Sequence, residues 1–396
     1  MVAFGLVSLS ADMVYEGMRS VAGPFLGTLG ASALTVGLVT GAGEGLALVL
    51  RLVAGPYADR SGRHWRLTTV GYALTAVCVP LLAVTPFLGA AGLGVAAALV
   101  LAERTGKAIR SPSKSALLAG MAVPVGRGRG FGVHKALDQV GAFAGPLVVA
   151  GVAAASGLLW PAFVVLAVPG VVAMVLLARL RRRAPVALPA PDPASPRPRR
   201  GPPLPRRFHL FAASCALGTL GLMTFGVMSY AMVADGLVSL AAAPVVYAGA
   251  MAVAALGALA TGVAYDRVGA RVLYTLPPLI AVVPALVFTD RLGLVLVGVA
   301  AWGLATGVQD STVKALVADL VPASSLATAY GVFAAAQGAA ALAGGGLAGW
   351  LHADHAGLLT AVVASCQVLS LVALVLVRHR SPAARAGLSP RASGRR

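Results

Sequence analysis

Glu16, Glu44 and Glu103 are the three glutamates of the chain, and each sits inside a long apolar run. A charge at the centre of a hydrocarbon layer costs about 2.5–3.5 kcal/mol or more, so each carboxylate must face a cavity or a partner. Asp12, Glu16 and Arg19 follow one another at i, i+4 and i+7, which lines them on one helical face with Tyr15 at its edge. A later stretch holds Glu103, Arg104, Lys107 and Arg110, and the one after it adds Asp138. Desolvation favours a neutral carboxyl and a nearby guanidinium favours the ionised form, so a carboxylate poised between the two can take up and release a proton. Asp12, Glu16, Glu44, Glu103, Arg104 and Asp138 are therefore the candidates for proton coupling. A static ion-pair network would use the same residues, and that alternative stays open. Tyr15 and Arg19, with Tyr230, Gln309, Asp310 and Gln337 from later in the chain, are candidates to line a cavity for a small-molecule substrate.

Other chemistry is poorly served. No nucleophile triad or phosphate-binding glycine loop is visible, which excludes the common enzyme classes and ATP as the energy source within this chain. The six histidines are scattered, with only His352 and His355 close together, and Cys78, Cys215 and Cys366 stand alone in apolar runs. Neither a metal site nor a disulfide framework is expected. No cofactor is expected either, and a proton gradient is the natural source of energy.

The elements that must position these groups are membrane spans. The chain has 396 residues, 58% hydrophobic and 11% charged, and apolar stretches of about the 20 residues a helix needs to cross a bilayer follow one another throughout. Breaks at Gly, Pro and charge clusters predict twelve helices, over 3–28, 33–54, 67–87, 90–112, 130–153, 157–179, 208–233, 241–262, 271–289, 292–314, 325–350 and 357–378. The opening stretch carries carboxylates inside its apolar run and no basic leader, so a cleaved signal peptide is not expected.

A net charge of +18 would ordinarily suggest nucleic acid. Here the cations cluster in alternate loops, at Arg60, Arg63 and Arg66, at Lys114, Arg127 and Arg129, and at Arg267 and Arg271, whereas the opposite loops hold almost nothing basic but Arg291. The positive-inside rule makes the first set cytoplasmic, with both termini, in a plasma (inner) membrane protein that binds lipid and no nucleic acid. The basic, Pro-rich segment 181–207 reads as a cytoplasmic linker between a bundle at 1–180 and another at 208–380, with a tail at 381–396.

The two halves repeat. Gly55-Pro-Tyr-Ala-Asp59-Arg60-Ser-Gly62-Arg63 is echoed by Gly262-Val-Ala-Tyr-Asp266-Arg267-Val-Gly269-Ala-Arg271, each between the second and third helices of its half. A second echo pairs the run from Phe131 with that from Tyr330. Two related six-helix bundles joined by a long inner loop describe a secondary transporter.

The loop pattern resembles the signature of the major facilitator superfamily, with Pro56 a departure from its usual apolar residue. In helix 5, Gly132, Gly141, Gly145 and Pro146 resemble the pattern of that family's drug:proton antiporters, while Val149 and Ala150 replace its last two glycines. The resemblance implies an all-α fold of two pseudo-symmetric six-helix bundles, a monomer working by alternating access, and proton-coupled efflux of a small organic molecule or drug. Uptake by symport or facilitated passage of a metabolite is the alternative, ahead of metal-ion efflux or a non-transporting sensor. It also implies that Gly55, Asp59, Arg60, Gly62 and Arg63, with Gly262, Asp266, Arg267, Gly269 and Arg271, form a conformational gate. Asp59 is expected to face the N-terminus of helix 11 near Ser324, Ser325 and Thr328, where charge and helix dipole attract. The small residues Gly37, Gly41 and Gly45 should give helix 2 a smooth face, and Gly141 and Gly145 should pack against Ala250, Ala254, Ala258 and Gly262 of helix 8.

Overall fold

The computed structural model describes residues 2–121, 127–183, 203–322 and 325–378. Within them the chain is helical and forms twelve rods, α1 (Val2–Thr28), α2 (Ala33–Ser61), α3 (His64–Phe87), α4 (Gly92–Met121), α5 (Arg127–Ser156) and α6 (Trp160–Arg183), then α7 (Arg206–Ala234), α8 (Ala242–Val268), α9 (Gly269–Val287), α10 (Leu292–Leu320), α11 (Leu326–Leu351) and α12 (Ala356–Arg378). Ten are long and apolar enough to span a bilayer by composition alone. The other two, α1 and α4, have 27 and 30 residues and carry the embedded charges.

Several helices outrun their predicted ends on the basic side. The Gly55–Ser61 stretch continues α2 as helix, and the turn shrinks to Gly62 and Arg63, with Gly62 at φ 61° closing the helix in the left-handed region. In the second copy α8 likewise runs to Val268 and ends on a glycine at φ 61°, but Gly269 has ψ −149° where Gly62 has ψ 6°, and a 3-10 segment follows it. In the same way α4 includes Lys114, α10 runs on to Leu320, and α6 carries Arg181 to Arg183, trimming the expected linker at its first residues. A charge cluster ends the apolar run but not the helix, because water beyond the bilayer solvates the side chains while the backbone keeps its own hydrogen bonds. The rest of the linker, 184–202, and the tail, 381–396, lie outside the described residues.

One helix is broken where the sequence shows no proline at the break. In α7 the chain departs from helix at Met223, a non-glycine at φ 39°, and resumes at Phe225. The carbonyl that this frees is taken by Trp302 Nε1 of α10 at 3.3 Å, as a broken helix inside a protein interior requires. α9 is a series of short turns around Pro277 and Pro284.

Each half has its own apolar core, Val14 to Leu166 in one and Leu222 to Val363 in the other. Small residues set the closest approaches. Gly141 and Gly145 of α5 back onto the Leu9 and Met13 carbonyls of α1, so their expected partner in α8 is corrected to a helix of their own half. The α8 stripe instead receives Gly303 at Ala250 and Gly307 at Ala254 and Ala258, both from α10. Helix dipoles do not favour these approaches; the missing Cβ does, since a methyl group there would overlap the facing carbonyl.

Across the halves, α2 and α11 run antiparallel in backbone contact, pairing Ala33 with Gly349, Gly37 with Gly345, Gly41 with Ala341 and Gly45 with Gly338. Gly23 of α1 meets Gly226 of α7, and Thr40 Oγ1 lies 2.7 Å from Thr224 Oγ1. These contacts lie toward the loop end that carries residues 29–32.

Candidate functional site

The charged residues converge inside the first bundle, where the acidic face of α1 meets α2 and α4. Residues 103, 107, 110 and 114 recur at helical spacing down α4, a ladder of about 16 Å at 1.5 Å per residue. Its middle level joins both halves of the protein. Arg19 Nη2 sits 2.9 Å from Glu44 Oε1 and Arg19 Nη1 3.7 Å from Glu16 Oε2, while Arg104 approaches Glu44 at 3.6 Å. Tyr247 of α8 donates to Glu16 Oε2 at 2.5 Å and accepts from Arg19 at 3.3 Å, which carries the network across the interface. Arg104 donates to the hydroxyl of buried Tyr15, and the Lys107 ammonium lies 3.6 Å from the centre of the Tyr15 ring. Glycine at 43 makes this possible, because a Cβ there would lie 2.9 Å from Arg104 Cγ.

Behind this level Glu103 is fully buried. It accepts from Thr75 at 2.9 Å and faces Arg104 at 3.8 Å and Arg110 at 3.9 Å, and Arg110 also donates to Thr75 at 2.5 Å. One turn toward the basic end, where α1 and α5 pack closely, Asp12 and Asp138 form a second acidic group. Lys114 stands 3.8 Å and Lys135 3.1 Å from Asp138, and Ser8 ties Lys114, Tyr72 and His134 together. The sequence candidates Asp12, Tyr15, Glu16, Arg19, Glu44, Glu103, Arg104 and Asp138 thus fall into one connected charged region.

The second half contributes hydroxyls, amides and rings. Gln309 and Gln337 both donate to Thr219, at 2.9 and 3.3 Å, and Gln309 also lines a small cavity of about 20 Å³ between α7, α9, α10 and α12. The side chain of Asp310 lies outside the described residues. Tyr230 is elsewhere: its ring packs beside Gly27 and His352 at the closed loop end, away from the charged level.

The expected gate is spread over the basic surface. Asp59 is 77% exposed and has His64 Nε2 at 4.0 Å, and among the described residues it has no helix-11 ion-pair partner; Ser324 lies outside them. The nearest neighbour of Gly55 is Pro112 of its own half, Gly262 has open space around it, and Arg60, Arg63, Arg267 and Arg271 are exposed. The side chain of Asp266 is outside the described residues. In helix 5, Gly132 also faces open space, and Pro146 continues the helix past Gly145.

Sequence reasoning missed Tyr247, Thr75 and Thr40, and passed over Lys107 and Thr224 as site residues. A tyrosine inside an apolar run is a usable signal for Tyr247, but which face of α8 meets α1 is a tertiary fact.

The comparisons with known proteins follow the fold. The profile described as Major Facilitator Superfamily matches residues 4–285 and 210–396. Uncharacterized proteins of Mycobacterium bovis and Mycobacterium tuberculosis are each 50% identical over 383 residues, covering 95% of this chain and 92% of theirs. A solved nucleoside transporter shares the fold with a TM-score of 0.76 at 12% identity, over 95% of this chain and 99% of that one. A peptide transporter gives 0.74 at 16% identity, over 96% and 94%.

Proposed function

The chain belongs to the Major Facilitator Superfamily, a family of membrane transporters, and from that premise we propose that it is a proton-coupled secondary transporter of a small organic molecule in which Glu16 carries the coupling. The observation that supports this is the hydrogen bond from Tyr247 to Glu16, a carboxylate of one half held by a hydroxyl of the other. A hydroxyl-to-carboxylate bond is shorter and about twice as strong as its neutral counterpart. Protonating Glu16 weakens both this bond and its pairing with Arg19, and so loosens a contact between the halves. Loading a proton then biases the rocking of one bundle against the other, which is what coupling means energetically.

The closed loop end, with Asp59 exposed at the basic end, supports assigning this arrangement to a state that faces the basic side. By the positive-inside rule that side is the cytoplasm of a plasma-membrane protein, and both termini lie there. Asp59 and the paired glycine turns at Gly62 and Gly269 serve as a latch when the halves rock the other way.

Direction has two supports. The helix-5 residues Gly132, Gly141, Gly145 and Pro146 favour efflux by proton antiport. Co-transport is favoured by Arg19, which Glu16 and Glu44 share: a proton on Glu16 frees the guanidinium instead of competing with a ligand for it. Purified protein in liposomes that contain a pH-sensitive dye, challenged with a panel of organic acids, amines and amides, tests the proposal. Addition of a transported solute should move protons, with it in co-transport or against it in antiport, and Glu16→Gln should abolish proton movement while the protein stays folded. Solute movement indifferent to an imposed pH gradient, or unchanged coupling in Glu16→Gln, would overturn it.

A further inference from the structure

The middle of the charged region does not balance. Glu16, Glu44 and Glu103 face Arg19, Arg104, Lys107 and Arg110, one cation more than carboxylates, and Arg51 on α2 adds to the positive field at Glu44. The surplus has an address. Arg19, Arg104 and Arg110 each have a carboxylate within 4.0 Å, whereas among the described residues Lys107 has none and rests over the Tyr15 ring. A cation held in hydrocarbon without an anion is costly, and the usual remedies are pairing or pointing it into a cavity where something charged arrives.

Two further features converge on that level. Phe225 packs edge-on against Tyr247 at 4.7 Å, so the start of the second segment of α7, Phe225–Ala234, stands beside the same tyrosine that holds Glu16. A helix of ten residues carries partial positive charge at its N-terminus, and broken helices in transporters direct such ends at anionic groups. The neighbouring side chains are aromatic and buried: Tyr15 beside Lys107 in the first half, and in the second Tyr247, with Phe225 and Trp302 packed behind it.

We infer that the transported solute is a small monovalent organic anion with an apolar or aromatic body, its charge seated by Lys107 and Arg19 and its body by the aromatic wall. This rests on the transporter reading above and names the class of its substrate. It also gives the direction of coupling: a proton on Glu16 removes one of the two carboxylates that hold Arg19, so proton and anion bind together and cross together.

The test uses full-length protein in detergent, with benzoate, benzamide and benzylamine, and acetate and hexanoate as aliphatic acids, at pH values on both sides of neutrality. Carboxylates should raise the melting temperature in a concentration-dependent way, more so at the lower pH, and the amide and the amine should not. Lys107→Gln should weaken that response about tenfold or more, the loss expected for a charge-assisted bond, while Lys107→Arg should retain most of it. An equal response to benzylamine or benzamide, no response to any of the acids, or a full response in Lys107→Gln would each overturn the inference. The transporter reading fails separately: carboxylate stabilisation without proton movement in liposomes removes coupling and leaves the anion site, whereas proton movement driven by benzylamine removes the anion site and leaves coupling.

Discussion

Glu103 shows how differently two carboxylates on neighbouring helices can be used. Glu103 is fully buried and holds Arg110 and Arg104 from behind, while the Glu44 side chain is 28% exposed and Glu16 is tied to the opposite half. Removing one member of a buried pair leaves the other charge uncompensated, at about 3–5 kcal/mol. Glu103→Gln should therefore lower stability by about that amount in a thermal or denaturant melt of the purified protein. Glu103→Met combined with Arg110→Met should be less damaging than Glu103→Met alone, because the pair is then replaced as a unit. Equal losses in the single and double variants would show that Arg110 does not depend on Glu103. At this scale the sequence was readable by type and spacing: the i, i+4, i+7 row of Asp12, Glu16 and Arg19 does lie on one face. It was not readable by partner, since nothing in the chain near Glu16 announces Tyr247, 231 residues away.

The helices divide between those fixed by packing and those fixed by charge. The glycines of α2 and α11 bring two backbones together across the halves, and a Cβ at Gly41 would lie 2.7 Å from the Ala341 carbonyl, closer than real side-chain carbons come. Gly41→Val should therefore force the loop end apart. In a background without Cys78, Cys215 and Cys366, a disulfide between Thr40→Cys and Thr224→Cys, whose hydroxyl oxygens lie 2.7 Å apart across the halves, should form readily in the parent and poorly in Gly41→Val. Efficient cross-linking in both would mean the stripe tolerates bulk and is no device for closure. Helix number and order could be read from hydropathy, but the basic ends could not, because charge marks where the bilayer stops and helix propensity decides where the helix stops. The helix-5 glycines show the same limit: their spacing revealed a packing face, and only the fold assigned that face to α1 and not to α8. The break at Met223 has no local cause in the sequence, and its stabilising partner, Trp302, comes from another helix.

Seen whole, the molecule is a pair of unequal halves built on one repeat. The Gly62 and Gly269 turns repeat in sequence and in the sign of φ but not in ψ, and the embedded ion pairs of the described residues belong to the first half, while the second answers with Tyr247, Thr224 and a cluster around Thr219. That asymmetry suits a transporter in which one bundle handles charge and the other presents a wall, with the two linked where Glu16 meets Tyr247. If Glu16 carries the coupling as proposed, the link makes the balance between the two rocked states depend on pH. Spin labels at Arg66→Cys and Val268→Cys, exposed residues at the basic ends of the two halves, would report that balance without any substrate, by double electron–electron resonance in nanodiscs with the native cysteines replaced. The account predicts two distance populations whose ratio shifts with pH in the parent protein and stays fixed in Glu16→Gln. A ratio that ignores pH in the parent, or that shifts equally in Glu16→Gln, would contradict it.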